Sequence, residues 1–438
     1  MKNILLFGAG KSATVLIDYL LQNAIENKWQ VTISDSDKKL IEQKTNGHVA
    51  AQIAAINVTD TLERQALIEK ADVVISMMPP FLHIHIAKDC LHFGKHLLTA
   101  SYADDAIKAM AAEAKSKGLI FLCEMGLDPG IDHMSAMQII DNIKNKGGEI
   151  TSFKSHCGGL IAPESDNNPW HYKITWNPRN VVLAGKAGAT YKNDGEIITQ
   201  KYQALFENSS TIHSNDENLN NLSFYPNRDS IAYIDLYNLQ NANTFLRTTL
   251  RHKEFMQGWK NIIALQLTSE DVAYQSDDMS LADFFAAHLT KEKILVEKIN
   301  AQDILLLNFL GLNDNNTYIN KGMISAADAI QFALEKKLVL SPTDKDMIVM
   351  QHEIEYSYQN KKHEIISSLV VKGTDNLRTA MAKTVGLPLG IAAKLILSGT
   401  IQLSGLQLPI VKEIYEPVLL ELQNFGVVFN EVETEILK

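Results

Sequence analysis

Cysteine is scarce: Cys90, Cys123 and Cys157 are the only three in 438 residues. Three, widely spaced, suggest neither a disulfide framework nor a zinc site, and they read as small core residues. Positive charge is short as well. The 41 Lys and Arg against 51 Asp and Glu leave a formal net charge of −10, which argues against nucleic acid and anionic membrane as partners, since both need a positive surface. No apolar run reads as long enough to cross a bilayer, and the chain opens on a core strand without a charged leader and hydrophobic segment, so a cytoplasmic protein is expected. What is present is ordinary. Residues that are 46% hydrophobic and 21% charged suit a soluble globular chain, and the length calls for two domains or more.

The chain is organised around its first strand and the turn after it, Ile4-Leu5-Leu6-Phe7-Gly8-Ala9-Gly10-Lys11-Ser12-Ala13. An apolar run breaks into glycines and enters an amphipathic stretch, giving strand, turn and helix. Gly8 permits the sharp turn, Gly10 lets backbone approach a pyrophosphate, and Ala13 is small enough to bring helix and strand together. The phosphates would then sit on the N–H groups around Lys11 and Ser12 at the helix N-terminus. Gly10-Lys11-Ser12 also looks like the end of a P-loop, but the glycine that motif needs five residues earlier is Leu5, which excludes it. Asp35 ends the second strand. A carboxylate there accepts from both ribose hydroxyls and repels a 2′-phosphate, and Ser36 follows in place of a basic residue, so NAD is expected over NADP. The competing reading makes Asp35 a cap for the next helix.

Strands and helices then alternate: helix 38–45, a strand ending near Ile56-Asn57-Val58, helix 61–69, strand 71–76, helix 84–93, strand 96–100, helix 103–117 and strand 119–122. This predicts an α/β fold with a doubly wound parallel Rossmann sheet of six strands. Asn57 and Val58 should flank the adenine, and Ser76 and Met77 should pass beside the cofactor. His83 and His85 stand two apart, which does not put them on one helical face, and they read as surface or capping histidines, not metal ligands. The loop Glu124-Met125-Gly126-Leu127-Asp128-Pro129-Gly130-Ile131-Asp132-His133 leaves the sheet where a nicotinamide would lie and opens helix 134–144, so it reads as catalytic or substrate-binding.

From Glu149 the period shifts towards two. Strands are expected at 150–157, 172–176, 197–199 and 231–236, in a second α/β domain with a mixed, largely antiparallel sheet. The Asn- and Ser-rich segment 207–221 reads as an exposed loop. Helices 281–289 and 326–334 belong to a helical insertion at about 275–345, and 352–358 with 364–371 make a hairpin. The C-terminus is helical at 376–397 and 411–425, with Pro388 and Gly390 as interruptions. The domains expected are 1–125 for the dinucleotide and 126–384 for substrate and dimerisation, with 385–438 folding back on the first.

Several stretches share one resemblance: Ser101-Tyr102, the loop from Gly126 to His133, Cys157-Gly158-Gly159-Leu160-Ile161-Ala162-Pro163-Glu164, Asn167-Asn168-Pro169, Tyr172-Lys173-Ile174-Thr175-Trp176, Tyr225-Pro226-Asn227-Arg228-Asp229-Ser230 and Leu250-Arg251. In order and spacing the chain resembles the saccharopine dehydrogenase family, glutamate-forming type, over almost its whole length. Around Trp170-His171 it departs from the Leu-Gly usual there. The resemblance implies a homodimer, saccharopine as small-molecule substrate, and a pocket formed by Ser101, Tyr102, Leu127, Asp128, Pro129, Asp132, His133, Arg228, Thr249, Leu250 and Arg251. Saccharopine carries three carboxylates, so Arg228 and Arg251 are its expected hosts. Asp128, Asp132, Tyr102 and His133 are all candidates for proton transfer that the sequence does not rank; Asp128, acting on the amine or through an ordered water, is the expected acceptor, with Tyr102 nearby. Lysine-forming saccharopine dehydrogenases, carboxynorspermidine or homospermidine enzymes of similar architecture, and a non-catalytic NAD-sensing regulator are the alternatives.

Overall fold

The apolar run after Lys2 forms β1 (Lys2–Phe7), buried on both faces from Ile4 onwards because helices cover both sides of the sheet it sits in. The computed structural model describes residues 1–207, 210–212, 219, 222–295 and 299–437. They divide into two units, Met1–Glu149 with Leu369–Asn430, and Ile150–Ser368 with Glu431–Lys438.

In the first unit β1 is followed by α1 (Thr14–Ala24), β2 (Trp29–Asp35), α2 (Lys38–Thr45), β3 (Ala51–Ala55), α3 (Thr61–Ile68) and β4 (Val73–Ser76). Then come α4 (Pro80–Phe93), β5 (His96–Thr99), α5 (Asp105–Lys108), α6 (Ala111–Ser116), β6 (Ile120–Leu122) and α7 (Ile131–Asn145). The strands run parallel in the order β3-β2-β1-β4-β5-β6. Winding reverses between β1 and β4, the switch point at whose carboxyl edge open α/β sheets bind ligands. A seventh strand, Gly405–Gln407, joins parallel to β6 and was not foreseen. The first unit runs on to Glu149, past the expected boundary at 125, because α7 packs on the returning helix Lys412–Gln423, where the Tyr415 hydroxyl donates to Asp141 at 2.6 Å.

The returning helix Ala380–Leu397 is continuous through Pro388 and Gly390, which were expected to interrupt it. Gly390 serves packing instead. A Cβ there would lie 2.5 Å from the Tyr19 ring of α1, so only glycine allows this approach. By length and composition this helix could cross a membrane, contrary to the expectation that no run is long enough. Most of it is buried within its own unit, which accounts for its apolarity.

The second unit is built on a ten-stranded mixed sheet. Its main path runs Ser210–Thr211, Leu222–Pro226, Thr244–His252, Glu149–Ile161, Asp346–Tyr358, Lys361–Lys372, Asn430–Ile436. Thr244–His252 pairs antiparallel with Leu222–Pro226 and parallel with Glu149–Ile161. Gln359 and Asn360, both with positive φ, turn the long hairpin. Two expected strands are absent. Residues 172–176 lack a strand ladder, and Ile231–Tyr233 is a 3-10 turn in which Asp229 accepts from the Ile231 N–H. Most of segment 207–221 lies outside the described residues, although Ser210–Thr211 is a short strand. Helices Leu281–Lys291 and Ala326–Lys337 each begin with a reciprocal Ser/Asp capping box and bury their apolar stripes in one cluster with Trp170, Trp259 and Phe284.

Candidate active site

Gly8 has φ +97°, and a Cβ there would meet the Met77 carbonyl at 2.9 Å, so the turn after β1 requires glycine. Gly10 stands in the open, with nothing within 4 Å of where a Cβ would project. Lys11 is exposed, Ser12 half-buried and Ala13 buried beneath them, and no side chain caps the helical turn that they start. An uncapped helix start behind an open glycine fits a dinucleotide pyrophosphate. Ser76 is buried and Met77 half-buried at the end of β4; Asn57 is exposed and Val58 buried beyond β3.

Asp35 has other work. Its Oδ2 accepts from the Ala9 N–H at 2.8 Å and its Oδ1 from the Asp37 N–H at 3.1 Å, so it braces the glycine turn, while Ser36 is exposed. The cap of α2 is Asp37, which accepts from the Leu40 N–H. Lys44, which sequence reasoning missed, donates from α2 to the Gly10 carbonyl at 2.5 Å. Burial lowers its ammonium to about 8, with the Asp35 charge opposing that drop.

At the same carboxyl edge, His83 is 2% exposed and is no surface or capping residue; His85 is the exposed one. The helix begins at Pro80, earlier than expected, which aligns His83 with Ile86, Ala87 and Cys90 on the buried stripe. Its Nδ1 lies 2.8 Å from the Ser76 hydroxyl and its Nε2 2.8 Å from that of Ser101. Beside it, Glu124 holds a buried positive-φ position, accepts from the Ala103 N–H at 3.3 Å and meets His133 Nε2 at 3.0 Å. Glu124 thereby ties the Ser101-Tyr102 segment to α7. Its place at the end of β6 was the available signal. Asp132 and His133, buried in the first turn of α7, shape the loop: Asp132 Oδ1 accepts from the Gly130 N–H at 2.6 Å. Leu127 and Pro129 are buried, whereas Tyr102 and Asp128 are half-buried and reachable from solvent.

In the second unit the strand Thr244–His252 turns Arg247, Thr249 and Arg251 to one face and Leu250 to the other, where it joins an apolar cluster. Arg251 is 4% exposed. Its guanidinium donates to the Leu250 carbonyl at 2.7 Å and lies over Tyr172 and Phe255, yet its Nε has no partner and no carboxylate pairs with it among the described residues. A buried cation without a counter-ion is costly, and it suits an anionic ligand. Arg247 lies 4.6 Å from the Tyr233 ring centre; period-two alternation from Arg251 would have found it. Arg228 is exposed, with φ +53°.

Two family models divide the chain: the saccharopine dehydrogenase NADP binding domain matches residues 4–122 and the saccharopine dehydrogenase C-terminal domain residues 126–427. The chain belongs to the saccharopine dehydrogenase family. It is 30% identical to the saccharopine dehydrogenase [NADP(+), L-glutamate-forming] of Saccharomyces cerevisiae, over 98% of this chain and 99% of that one. The solved apo saccharopine dehydrogenase (L-Glu forming) of that yeast superposes with a TM-score of 0.87 at 29% identity, covering 99% of this family member and all of that chain. Mouse mitochondrial alpha-aminoadipic semialdehyde synthase is 33% identical over 99% of this chain, which spans only 48% of that relative's length. These findings overturn the expectation of NAD over NADP: the matching domain model is an NADP binding one, and three fungal relatives are named for NADP(+). The physical reason lies in the turn, where Asp35 is engaged by backbone N–H groups and Lys44 stands nearby, so an acid at that position does not by itself decide the cofactor.

Proposed function

We propose that this chain oxidises saccharopine to L-glutamate and 2-aminoadipate 6-semialdehyde. The observation that carries this reading is the full-length similarity to the yeast L-glutamate-forming enzyme, in sequence and in fold. The buried, unpaired Arg251 adds a host for one of the three carboxylates by two parallel hydrogen bonds, and Arg228 is a second.

The glycine turn, Lys11, Ser12, Ser76 and Met77 would hold a nicotinamide dinucleotide, which when bound accepts the hydride. This chain's own residues have two proton transfers to manage, one from the secondary amine and one from the water that cleaves the oxidised substrate between nitrogen and the lysine-derived carbon. Asp128 is the proposed group for both: it takes the amine proton, releases it to solvent, then takes the proton of the attacking water and passes it to the nitrogen as the C–N bond breaks. The residue is half-buried on the loop beside Ser101 and Tyr102 within the first unit. The rest of that loop is held by Asp132, His133 and Glu124. The test is an absorbance assay for reduced nicotinamide with saccharopine, run with NADP and with NAD. Turnover yielding glutamate and the semialdehyde supports the reading; dinucleotide binding without turnover would defeat it.

A further inference from the structure

The arrangement of His83 goes beyond holding the fold. One buried imidazole joins the ends of two adjacent strands through two hydroxyls, Ser76 at the end of β4 and Ser101 beyond β5. Burial lowers its pKa to about 4, so near neutral pH the ring is uncharged and carries a single N–H. Whichever nitrogen holds that hydrogen fixes what Ser101 can offer outward. With Nε2–H, the Ser101 oxygen accepts from the ring and its hydrogen is free to seek a carboxylate. With Nδ1–H, the Ser101 hydrogen is committed to Nε2 and its lone pairs are free to receive an N–H.

The surroundings favour the second arrangement. Nε2 also lies 3.4 Å from the Thr99 hydroxyl, whose oxygen already accepts from the Ser101 N–H at 3.2 Å and so has its hydrogen to give. Two hydroxyls therefore face Nε2, which suits a bare acceptor nitrogen, while Nδ1 has Ser76 alone to donate to. We propose that His83 is a positioning residue, held as the Nδ1–H form, that presents Ser101 as an acceptor for a substrate amino group and not as a donor to a carboxylate. This rests on the saccharopine reading, in which one primary and one secondary amine must be distinguished from three carboxylates; carboxylates fall to arginine, and an amine needs an oxygen.

Two measurements test it. Long-range proton–nitrogen NMR on the wild-type protein labelled at histidine nitrogen, with His83→Asn to identify the signal, should show Nδ1 protonated and Nε2 bare near pH 7.5. The opposite form, or a cation, would overturn the proposal. In steady-state kinetics His83→Ala should raise KM for saccharopine roughly tenfold while kcat stays within about threefold, as loss of one hydrogen bond to a charged group would. Because His83 also bonds Ser76, the variant's dinucleotide dissociation constant, read by nicotinamide fluorescence, is the control, and the rise in KM for saccharopine should exceed any loss of dinucleotide affinity by roughly fivefold. An unchanged KM, or an equal loss of dinucleotide affinity, would contradict the positioning role. Should the wild type not turn over saccharopine at all, the substrate reading fails, and the NMR result still decides the state of His83.

Discussion

Arg251 sets the residue-scale problem most sharply, because a guanidinium packed over Tyr172 and Phe255 with no carboxylate partner among the described residues weakens the fold that contains it. Arg251→Met should lower kcat/KM for saccharopine by roughly a hundredfold or more, the cost of losing a bidentate charged contact, while thermal stability stays level or rises. A fall in melting temperature with unchanged kcat/KM would mean the arginine is structural. Asp128→Asn removes the proposed proton acceptor; kcat should drop by roughly a hundredfold or more while the dinucleotide dissociation constant barely moves. An unchanged kcat would remove Asp128 from the chemistry. His83 gives a pH prediction. Its folded-state pKa of about 4 lies below the unfolded value of 6.5, so as pH falls between them the unfolded chain takes up a proton that the folded one refuses, and stability is lost. Between about pH 7 and pH 5 that difference is worth about 2 kcal/mol. Urea unfolding of wild type and His83→Gln at both pH values should show the wild type losing that much more.

At the scale of elements, the helix Ala380–Leu397 couples sequence to packing most directly. Ala is the better helix former at Gly390 by about 1 kcal/mol, yet its Cβ would collide with a Tyr19 ring that is 2% exposed and pinned by its hydroxyl's 2.6 Å hydrogen bond to Glu421. Overpacking costs about 1–3 kcal/mol, so Gly390→Ala should be net destabilising by about 1 kcal/mol in chemical unfolding; a gain in stability would show that the ring can move. The same helix shows where sequence reading stops. Local patterns were legible: the β1 glycine turn, the strand and helix alternation as far as β6, the capped helices and the long hairpin all follow from neighbours in the chain. Elements that depend on distant partners were not. Pro388 and Gly390 read as breaks because local propensity cannot see that Tyr19 needs a glycine opposite it. The strand Gly405–Gln407 is too short to show a period and exists through its pairing with β6. In the candidate site, the loop from Gly126 to His133 stood out by composition. His83 did not, because starting the helix four residues late hid its place on the buried stripe, and Asp35 misled because its backbone bonds to Ala9 and Asp37 leave no trace in the sequence.

For the whole molecule, the two units differ in the groups they carry. The first carries an open, uncapped glycine turn, with Asp128 and Ser101 at the carboxyl edge of its sheet. The second carries Arg251, a buried cation in need of an anion. The glutamate-forming and lysine-forming reactions differ in which carbon beside the secondary nitrogen gives up hydride. Saccharopine carrying two deuterium atoms on the lysine-derived carbon next to that nitrogen separates them in one experiment. Mass spectrometry of the reduced nicotinamide should find one deuterium transferred to the ring, with glutamate and a deuterated semialdehyde as products. Deuterium retained in lysine, with 2-oxoglutarate as the other product, would contradict the reaction proposed for this chain.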